Sequence, residues 1–132
     1  MRLPVDIQRF WEESGKPSLL VTTFDEKVGR IYFMPEWEQV YEKLAAQRGD
    51  QRARHRFYMA THYGEEHEPD SAGRLLIPSE LRKKLAIENE PVRLMVIGNY
   101  IELVSDRRVQ FLLEEARTTV DEAEEDLARL GI

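Results

Sequence analysis

Cysteine is absent from this chain of 132 residues. A chain without cysteine has no disulfide framework, no thiol nucleophile and no cysteine-based zinc site. It also lacks any apolar run near the roughly 20 residues that span a bilayer. Its first residues, MRLPVDIQRFWEE, turn acidic where a signal peptide has its apolar segment. These absences favour a cytoplasmic protein with one compact core and no membrane contact.

The chain also lacks the sequence motifs that are typical of enzyme active sites. Its seven glycines are scattered, so no phosphate-cradling loop is present, and no Ser/His/Asp arrangement stands out. The three histidines, His55, His62 and His67, match no known metal-ligand spacing and lie in a polar connection. We therefore expect a protein that is not an enzyme and that needs no cofactor or metal.

The balance of charge disfavours a nucleic-acid partner at first sight, because phosphate binding needs a basic face and the net charge is −6. The charge is unevenly distributed, however. Residues 109–132 hold seven acidic and two basic side chains, whereas the preceding 108 residues hold 18 acidic and 17 basic ones. The body of the chain is thus nearly neutral and free to carry a local basic patch.

Two β-hairpins are predicted, each between two helices. The first is SLLVTTF, the turn DEKVG and RIYFM, and the second is PVRLMVI, the turn GN and YIELV. A proline begins the short helix before each hairpin, in LPVDIQRFW and in IPSELRKKL. Pro4 and Pro78 are 74 positions apart, and Trp37 and Val109, in the helices after the hairpins, are 72 apart. These similar offsets indicate a duplicated unit of about seventy residues.

A basic helix is predicted between the two halves, in RGDQRARHRFYMATHYG, with Asp50 as its N-cap. The C-terminal segment shows a heptad pattern, in which apolar residues alternate at steps of four and three. Such a seam needs a partner helix, and we predict that it mediates oligomerisation. The seam consists of Val109, Leu113, Ala116, Val120, Ala123, Leu127 and Leu130.

Three motifs occur in a fixed order along the chain: LLVTTF with YFMPEWEQVYEKL, then DSAGRLLIPSELRKKL, then the hairpin VIGNYIEL. Together they resemble the MraZ family over roughly residues 2–115. Members of that family are bacterial transcriptional regulators with two AbrB-type swapped-hairpin barrel units in one chain. The resemblance implies a mixed α/β, mainly β fold: a duplicated swapped-hairpin barrel with short helices and a long C-terminal helix.

The resemblance also implies a domain organisation. We expect one domain over residues 1–108, made of repeated units at 1–48 and 66–108. A basic helical connection, residues 49–65, joins the two units. An acidic, heptad-patterned helix over residues 109–132 follows.

In the MraZ family, which the motifs resemble, the Asp and Arg of the DxxGR loop face DNA. Here Asp70 would orient the loop and the guanidinium, Arg74 would contact DNA, and Gly73 would supply a conformation that a Cβ forbids. A structural salt bridge between Asp70 and Arg74 is the alternative. The first unit lacks its own loop, because the chain begins at Met1: either the recorded start lies too late or half of the binding surface is lost. The predicted DNA-binding residues are Asp70, Gly73, Arg74, Arg2, Arg82 and Lys84.

We therefore expect a sequence-specific transcriptional regulator that binds double-stranded DNA as a homo-oligomer, ring-like as in the family, in the cytoplasm at the nucleoid. Two alternatives stay open. The first is an oligomeric protein-interaction module with weakened or lost DNA binding, and the second is an AbrB-like antitoxin.

Overall fold

The computed structural model covers the whole chain and describes all of it except the side chains of residues 121–124. Within this described part, six helices and five strands alternate in an irregular order. The elements are α1 (Val5–Glu13), β1 (Leu19–Thr23), β2 (Gly29–Phe33), α2 (Met34–Ala46), α3 (Gln51–Tyr63), β3 (Glu65–His67), α4 (Ser79–Lys84), β4 (Val92–Ile97), β5 (Tyr100–Ser105), α5 (Asp106–Arg117) and α6 (Val120–Arg129).

The strands form one antiparallel sheet in the order β3-β1-β2-β5-β4. β1 pairs with β2 along its whole length, from Leu19 opposite Phe33 to Thr23 opposite Gly29. The pairing of β2 with β5 joins the two hairpins. β1 is buried at every residue, whereas β4 is an edge strand whose residues are exposed or half-buried. β1 is thus a fully buried interior strand, and β4 offers its outer edge to solvent.

The predicted order of short helix, hairpin and helix is present twice. α1, the β1–β2 hairpin and α2 are followed, after α3 and β3, by α4, the β4–β5 hairpin and α5. The second hairpin turns at Gly98 and Asn99, and Gly98 has a φ of 57°. Glycine adopts this left-handed conformation without a Cβ clash, as a two-residue hairpin turn requires. Both predicted hairpins and both short helices are therefore confirmed.

The connecting helix α3 begins where the sequence predicts. The Asp50 side chain accepts a hydrogen bond from the Arg52 N–H at 2.8 Å, as an N-cap does. Farther along the helix, the Thr22 hydroxyl donates to the carbonyl of Ala60 at 2.7 Å. Both atoms of this second contact are buried, so α3 is anchored to the buried strand β1.

The core lies on both faces of the sheet, because successive strand residues point to opposite sides. On one face, Leu19, Val21 and Leu103 pack with residues of α1, α4 and the loop before α4. On the other face, Leu20 and Tyr32 pack with residues of α2 and α3. The first cluster also contains Leu3, Ile7, Leu75, Ile77, Leu81 and Leu85.

The C-terminal segment differs from the single long helix expected over residues 109–132. It forms α5 and α6, with Thr118 and Thr119 between them. The hydroxyls of both threonines donate to backbone carbonyls of the preceding turn, of Glu115 at 2.7 Å and of Ala116 at 3.3 Å. Such side-chain bonds to the backbone compete with helix continuation. The seam residues are consequently divided: Val109, Leu113 and Ala116 lie on α5, and Val120 and Leu127 on α6, while the side chain of Ala123 lies outside the described residues.

The structure is mixed α/β, but the prediction that it is mainly β is wrong. Helices contain 63 residues and strands 25. The sheet is limited to two hairpins and one short strand, and the helices before, between and after the hairpins together hold more residues than it does. None of the described helices has the length and apolar character required to cross a bilayer.

Removing side-chain volume from the first core cluster should destabilise the protein strongly. Leu103 on β5 is fully buried, so Leu103→Ala should lower the free energy of unfolding by about 2–5 kcal/mol. The matched control is Leu76→Ala, because Leu76 is 59% exposed and its truncation should change stability by only about 0.5 kcal/mol. Urea denaturation measures both values, and equal losses would contradict the assigned core.

Candidate functional site

The segment between β3 and α4 contains a tight loop closed by Asp70. The Asp70 N–H donates to the carbonyl of Arg74, and the Gly73 N–H donates to the carbonyl of Asp70, both at 2.9 Å. One carboxylate oxygen of Asp70 accepts from the N–H groups of Ala72 and Arg74, and the other accepts from Nε of the Arg74 side chain, all at 2.9 Å. A single carboxylate thus fixes both the backbone of the loop and its guanidinium group.

These bonds favour the ionised form of the carboxylate. The hydrogen bond from the Arg74 backbone N–H, together with those from the Arg74 side chain and from Ala72, holds the pKa of Asp70 below its ordinary value. The pair is on the surface, where the side chains of Asp70 and Arg74 are 45% and 66% exposed. Exposed ion pairs of this kind contribute little to stability, so stability alone is a weak reason for the arrangement.

Gly73 allows the loop to close against α1. It is buried, with a φ of 76°, and a Cβ there would collide with the side-chain amide of Gln8. The same Gln8 amide donates to the carbonyl of Leu3 at 2.5 Å. Only glycine combines this left-handed backbone with so close an approach. Gln8, which no motif in the sequence indicates, therefore supports the loop.

Arg2 lies directly opposite Arg74. The two residues form an isolated antiparallel bridge, and the Leu3 N–H donates to the carbonyl of Gly73 at 2.9 Å beside it. Opposed residues in an antiparallel pair project to the same face with their Cβ atoms about 5 Å apart. The structure thus brings together two of the predicted arginines in a pair of like charges beside one carboxylate.

The other two predicted cations lie on α4, and one of them has a partner elsewhere. Lys84 Nζ is 3.6 Å from a carboxylate oxygen of Glu26, in the turn that follows β1. The Tyr63 hydroxyl donates to the same carboxylate, which raises the pKa of Tyr63 to about 12 and holds the pKa of Glu26 below its ordinary value. Arg82 is exposed. Glu26 follows the last residue of β1, whereas β3, which leads toward the Asp70 loop, places His67 opposite Leu19 at the start of β1. The ion pair of Lys84 and the Asp70 loop therefore lie at opposite ends of β1.

A cation-aromatic cluster around Arg30 was also missed by the sequence analysis. The Arg30 guanidinium lies 4.9 Å from the ring centre of Phe24 and 4.1 Å from that of Tyr100, and it donates to the Tyr32 hydroxyl at 2.9 Å. Tyr100 comes from β5, so only the pairing of β2 with β5 completes the cluster. It packs beside the second core cluster and stabilises the junction of the two hairpins.

The described residues include no group of three or more His, Asp or Glu side chains positioned to hold a metal ion. His62 and His67 each contact a glutamate, Glu80 at 3.2 Å and Glu65 at 2.9 Å. The candidate site is instead the Asp70–Arg74 loop together with Arg2, where two arginines lie opposite each other beside one carboxylate. We call these residues the arginine-pair surface.

A model of one protein family matches residues 61–130, a stretch that includes the loop, α4, the second hairpin and α5. The description of that family is "MraZ protein, putative antitoxin-like". The chain belongs to the MraZ family. The matched residues hold the whole Asp70–Arg74 part of the arginine-pair surface, while Arg2 lies outside them.

Individual MraZ proteins match over longer stretches. A protein named transcriptional regulator MraZ from Koribacter versatilis is 31% identical over 134 aligned positions, which cover 100% of this chain and 90% of the relative. The proteins of the same name from Acidobacterium capsulatum and Heliobacterium modesticaldum are 29% and 34% identical. The first of these alignments covers 100% of this chain and 90% of the relative, and the second covers 74% and 68%.

The requirement for glycine at the loop can be tested by substitution. Gly73→Ala should lower the free energy of unfolding by more than the roughly 1–2 kcal/mol that left-handed backbone costs an L-residue, because the new Cβ also displaces Gln8. Gly98→Ala is the matched control, since Gly98 has a positive φ but nothing within 4 Å of its position for a Cβ. Chemical denaturation compares the two, and Gln8→Ala should restore part of the Gly73→Ala loss. Equal losses at both glycines would contradict the proposed crowding.

Proposed function

We propose that this MraZ-family protein is a sequence-specific transcriptional regulator that binds double-stranded DNA as an oligomer through the arginine-pair surface. The observation that carries the proposal is the position of Arg2 opposite Arg74. Like charges directly opposite each other on a sheet destabilise the fold. A DNA phosphate between them would relieve that repulsion, so the arrangement is best suited to an anionic partner.

The geometry of Arg74 fits a contact with DNA. Asp70 holds the guanidinium through Nε, and the two terminal nitrogens make no hydrogen bond to any described residue. Two terminal nitrogens in a fixed plane match the paired acceptors of guanine or two oxygens of a phosphate. Asp70 would thus act as a positioning residue, and Arg74 as the residue that touches DNA.

The distribution of charge is compatible with this function. Most of the excess acidity lies in residues 109–132, and the preceding part is almost balanced. One loop provides few contacts, so useful affinity would come from several copies acting together. The seam residues Leu113, Val120 and Leu127, which are 40%, 58% and 43% exposed, are the predicted contacts between copies.

The repeated order of elements supports a duplicated swapped-hairpin architecture, with units at 1–48 and 66–108 joined by residues 49–65. In this interpretation α1 and α4 are equivalent, so Arg2 and Arg74 precede equivalent helices. Arg82 and Lys84 would add non-specific attraction to DNA from α4. Their contribution should be smaller than that of Arg74, because Lys84 is already paired with Glu26.

A second candidate function is that of a protein-interaction module or antitoxin. Two observations favour it: the family description contains the word antitoxin-like, and the acidic C-terminal helices suit a basic protein partner. Copies would then associate through the same helices, but DNA would not be retained.

The DNA-binding proposal predicts a specific effect of salt. Affinity for the DNA upstream of the protein's own operon should fall as salt rises, and Arg74→Ala or Arg2→Ala should each reduce the slope of log K against log salt by about one. Fluorescence anisotropy at several salt concentrations measures the slope. Lys27→Ala is the control, because Lys27 is exposed in the turn at the far end of β1 and should leave affinity nearly unchanged.

Two results would contradict the proposal. Equal affinities of the wild type and Arg74→Ala would exclude Arg74 as the DNA contact. Affinity that does not respond to salt would exclude phosphate contact altogether. An oligomer that retains no DNA would favour the second candidate instead.

A further inference from the structure

An apolar groove lies on the side of the sheet covered by α1, apart from the arginine-pair surface. Its volume is about 520 Å³. Phe10, Phe33 and Val96 form its walls, and the core residues Ile31 and Ile101 lie at its base. Phe10 is 55% exposed and Val96 60% exposed. Apolar residues in a concave surface of this size are typical of a binding site for apolar side chains.

The groove also carries negative charge. Asp6 on α1 and Glu36 on α2 line it, and neither forms an ion pair among the described residues. An occupant should therefore combine apolar side chains with a cation. Free carboxylates beside an apolar groove favour such an occupant over an acidic one.

Helix α5 of the same chain has these properties. Arg108, Phe111 and Leu112 are spaced at i, i+3 and i+4 and so lie on one face of the helix. Phe111 is 50% exposed and Leu112 36% exposed. The Arg108 guanidinium lies 4.9 Å from the centre of the Phe111 ring, and its Nε is buried without a hydrogen-bond partner in the described part of the molecule. We call these three residues the α5 stripe.

The α5 stripe is separate from the heptad seam. At 100° per residue, Arg108, Phe111 and Leu112 are centred more than a quarter turn away from Val109, Leu113 and Ala116. Val109 faces the sheet and is buried. The α5 stripe is therefore free to contact a second molecule whether or not the seam is engaged.

We propose that the α5 stripe of one copy of this protein docks into the α1 groove of the next copy. The two surfaces are complementary: aromatic and aliphatic side chains meet the apolar walls, and Arg108 meets Asp6 or Glu36. Because the groove and the stripe are different patches, the contact is head-to-tail and generates a ring or an open chain. The inference rests on the oligomeric part of the proposed function and adds a second interface to the predicted seam.

Mixing two defective variants tests this interface directly. Phe10→Lys places a cation in the groove, where it repels Arg108, and Phe111→Glu places a carboxylate on the stripe, where it repels Asp6 and Glu36. Each variant alone should dissociate into smaller species in sedimentation velocity experiments. An equimolar mixture should regain at least a dimer, because the intact groove of one chain accepts the intact stripe of the other.

Tyr58→Lys is the matched control for Phe10→Lys, since Tyr58 is an aromatic residue on α3 that is 60% exposed. It should leave the assembly unchanged. Circular dichroism checks that all variants are folded. We expect them to fold, because Phe10 and Phe111 are both exposed. Leu113→Glu reports separately on the heptad seam.

The possible outcomes are distinct. A monomeric wild type would overturn the oligomer of the proposed function and this interface with it. An oligomeric wild type that is insensitive to Phe10→Lys would overturn the groove assignment alone and leave the seam as the contact. Variants that dissociate singly but stay dissociated when mixed would show that groove and stripe do not face each other.

Discussion

The pairing of the first residues of the chain with the loop before α4 is the constraint on which the rest of the structure depends. Leu3 and Leu75 are both almost fully buried in the larger core cluster, although they are more than seventy positions apart in sequence. Their backbones lie side by side through the bond from the Leu3 N–H to Gly73. The hydrophobic contribution of these leucines holds the two segments together. As a consequence, Arg2 and Arg74 must lie opposite each other on the exposed face.

Helix α1 links the two surfaces that we assign. Gln8 closes against Gly73 on the side of the loop, while Phe10 and Asp6 line the groove. Both sets of contacts are made by one helix of nine residues. A copy seated in the groove would therefore hold α1 in place, and through Gln8 it would stabilise the loop that we expect to contact DNA. Assembly and DNA binding would favour each other for this reason.

Much of the local structure was predictable because its signals are local. The turn at Gly98, the prolines before α1 and α4, and the cap at Asp50 each act within a few residues. The break between α5 and α6 at Thr118 and Thr119 was not predicted. The heptad pattern concerns apolar residues only, whereas the break involves threonine hydroxyls that bond to the preceding turn. The prediction of a mainly β fold failed because the resemblance concerns the sheet, whereas the six helices together hold more than twice as many residues as the strands.

The candidate site was predictable only in part. The DxxGR motif identified the ion pair of Asp70 and Arg74, which is a contact between near neighbours in sequence. The role of Gln8 and the cluster around Arg30 required contacts between distant segments, and no periodicity in the sequence encodes them. Arg2 was among the predicted DNA-binding residues, but only the backbone pairing shows that it lies opposite Arg74. Lys84 carries the same charge but pairs with Glu26 instead.

The central claim is that Arg2 and Arg74 act together on one anionic partner. A double-mutant cycle on DNA affinity tests it most directly, with Arg2→Ala, Arg74→Ala and the double variant measured at one salt concentration. The claim predicts that the double variant loses clearly less binding free energy than the two single losses combined, with a coupling above about 0.5 kcal/mol. Additive losses, or no loss in either single variant, would contradict it.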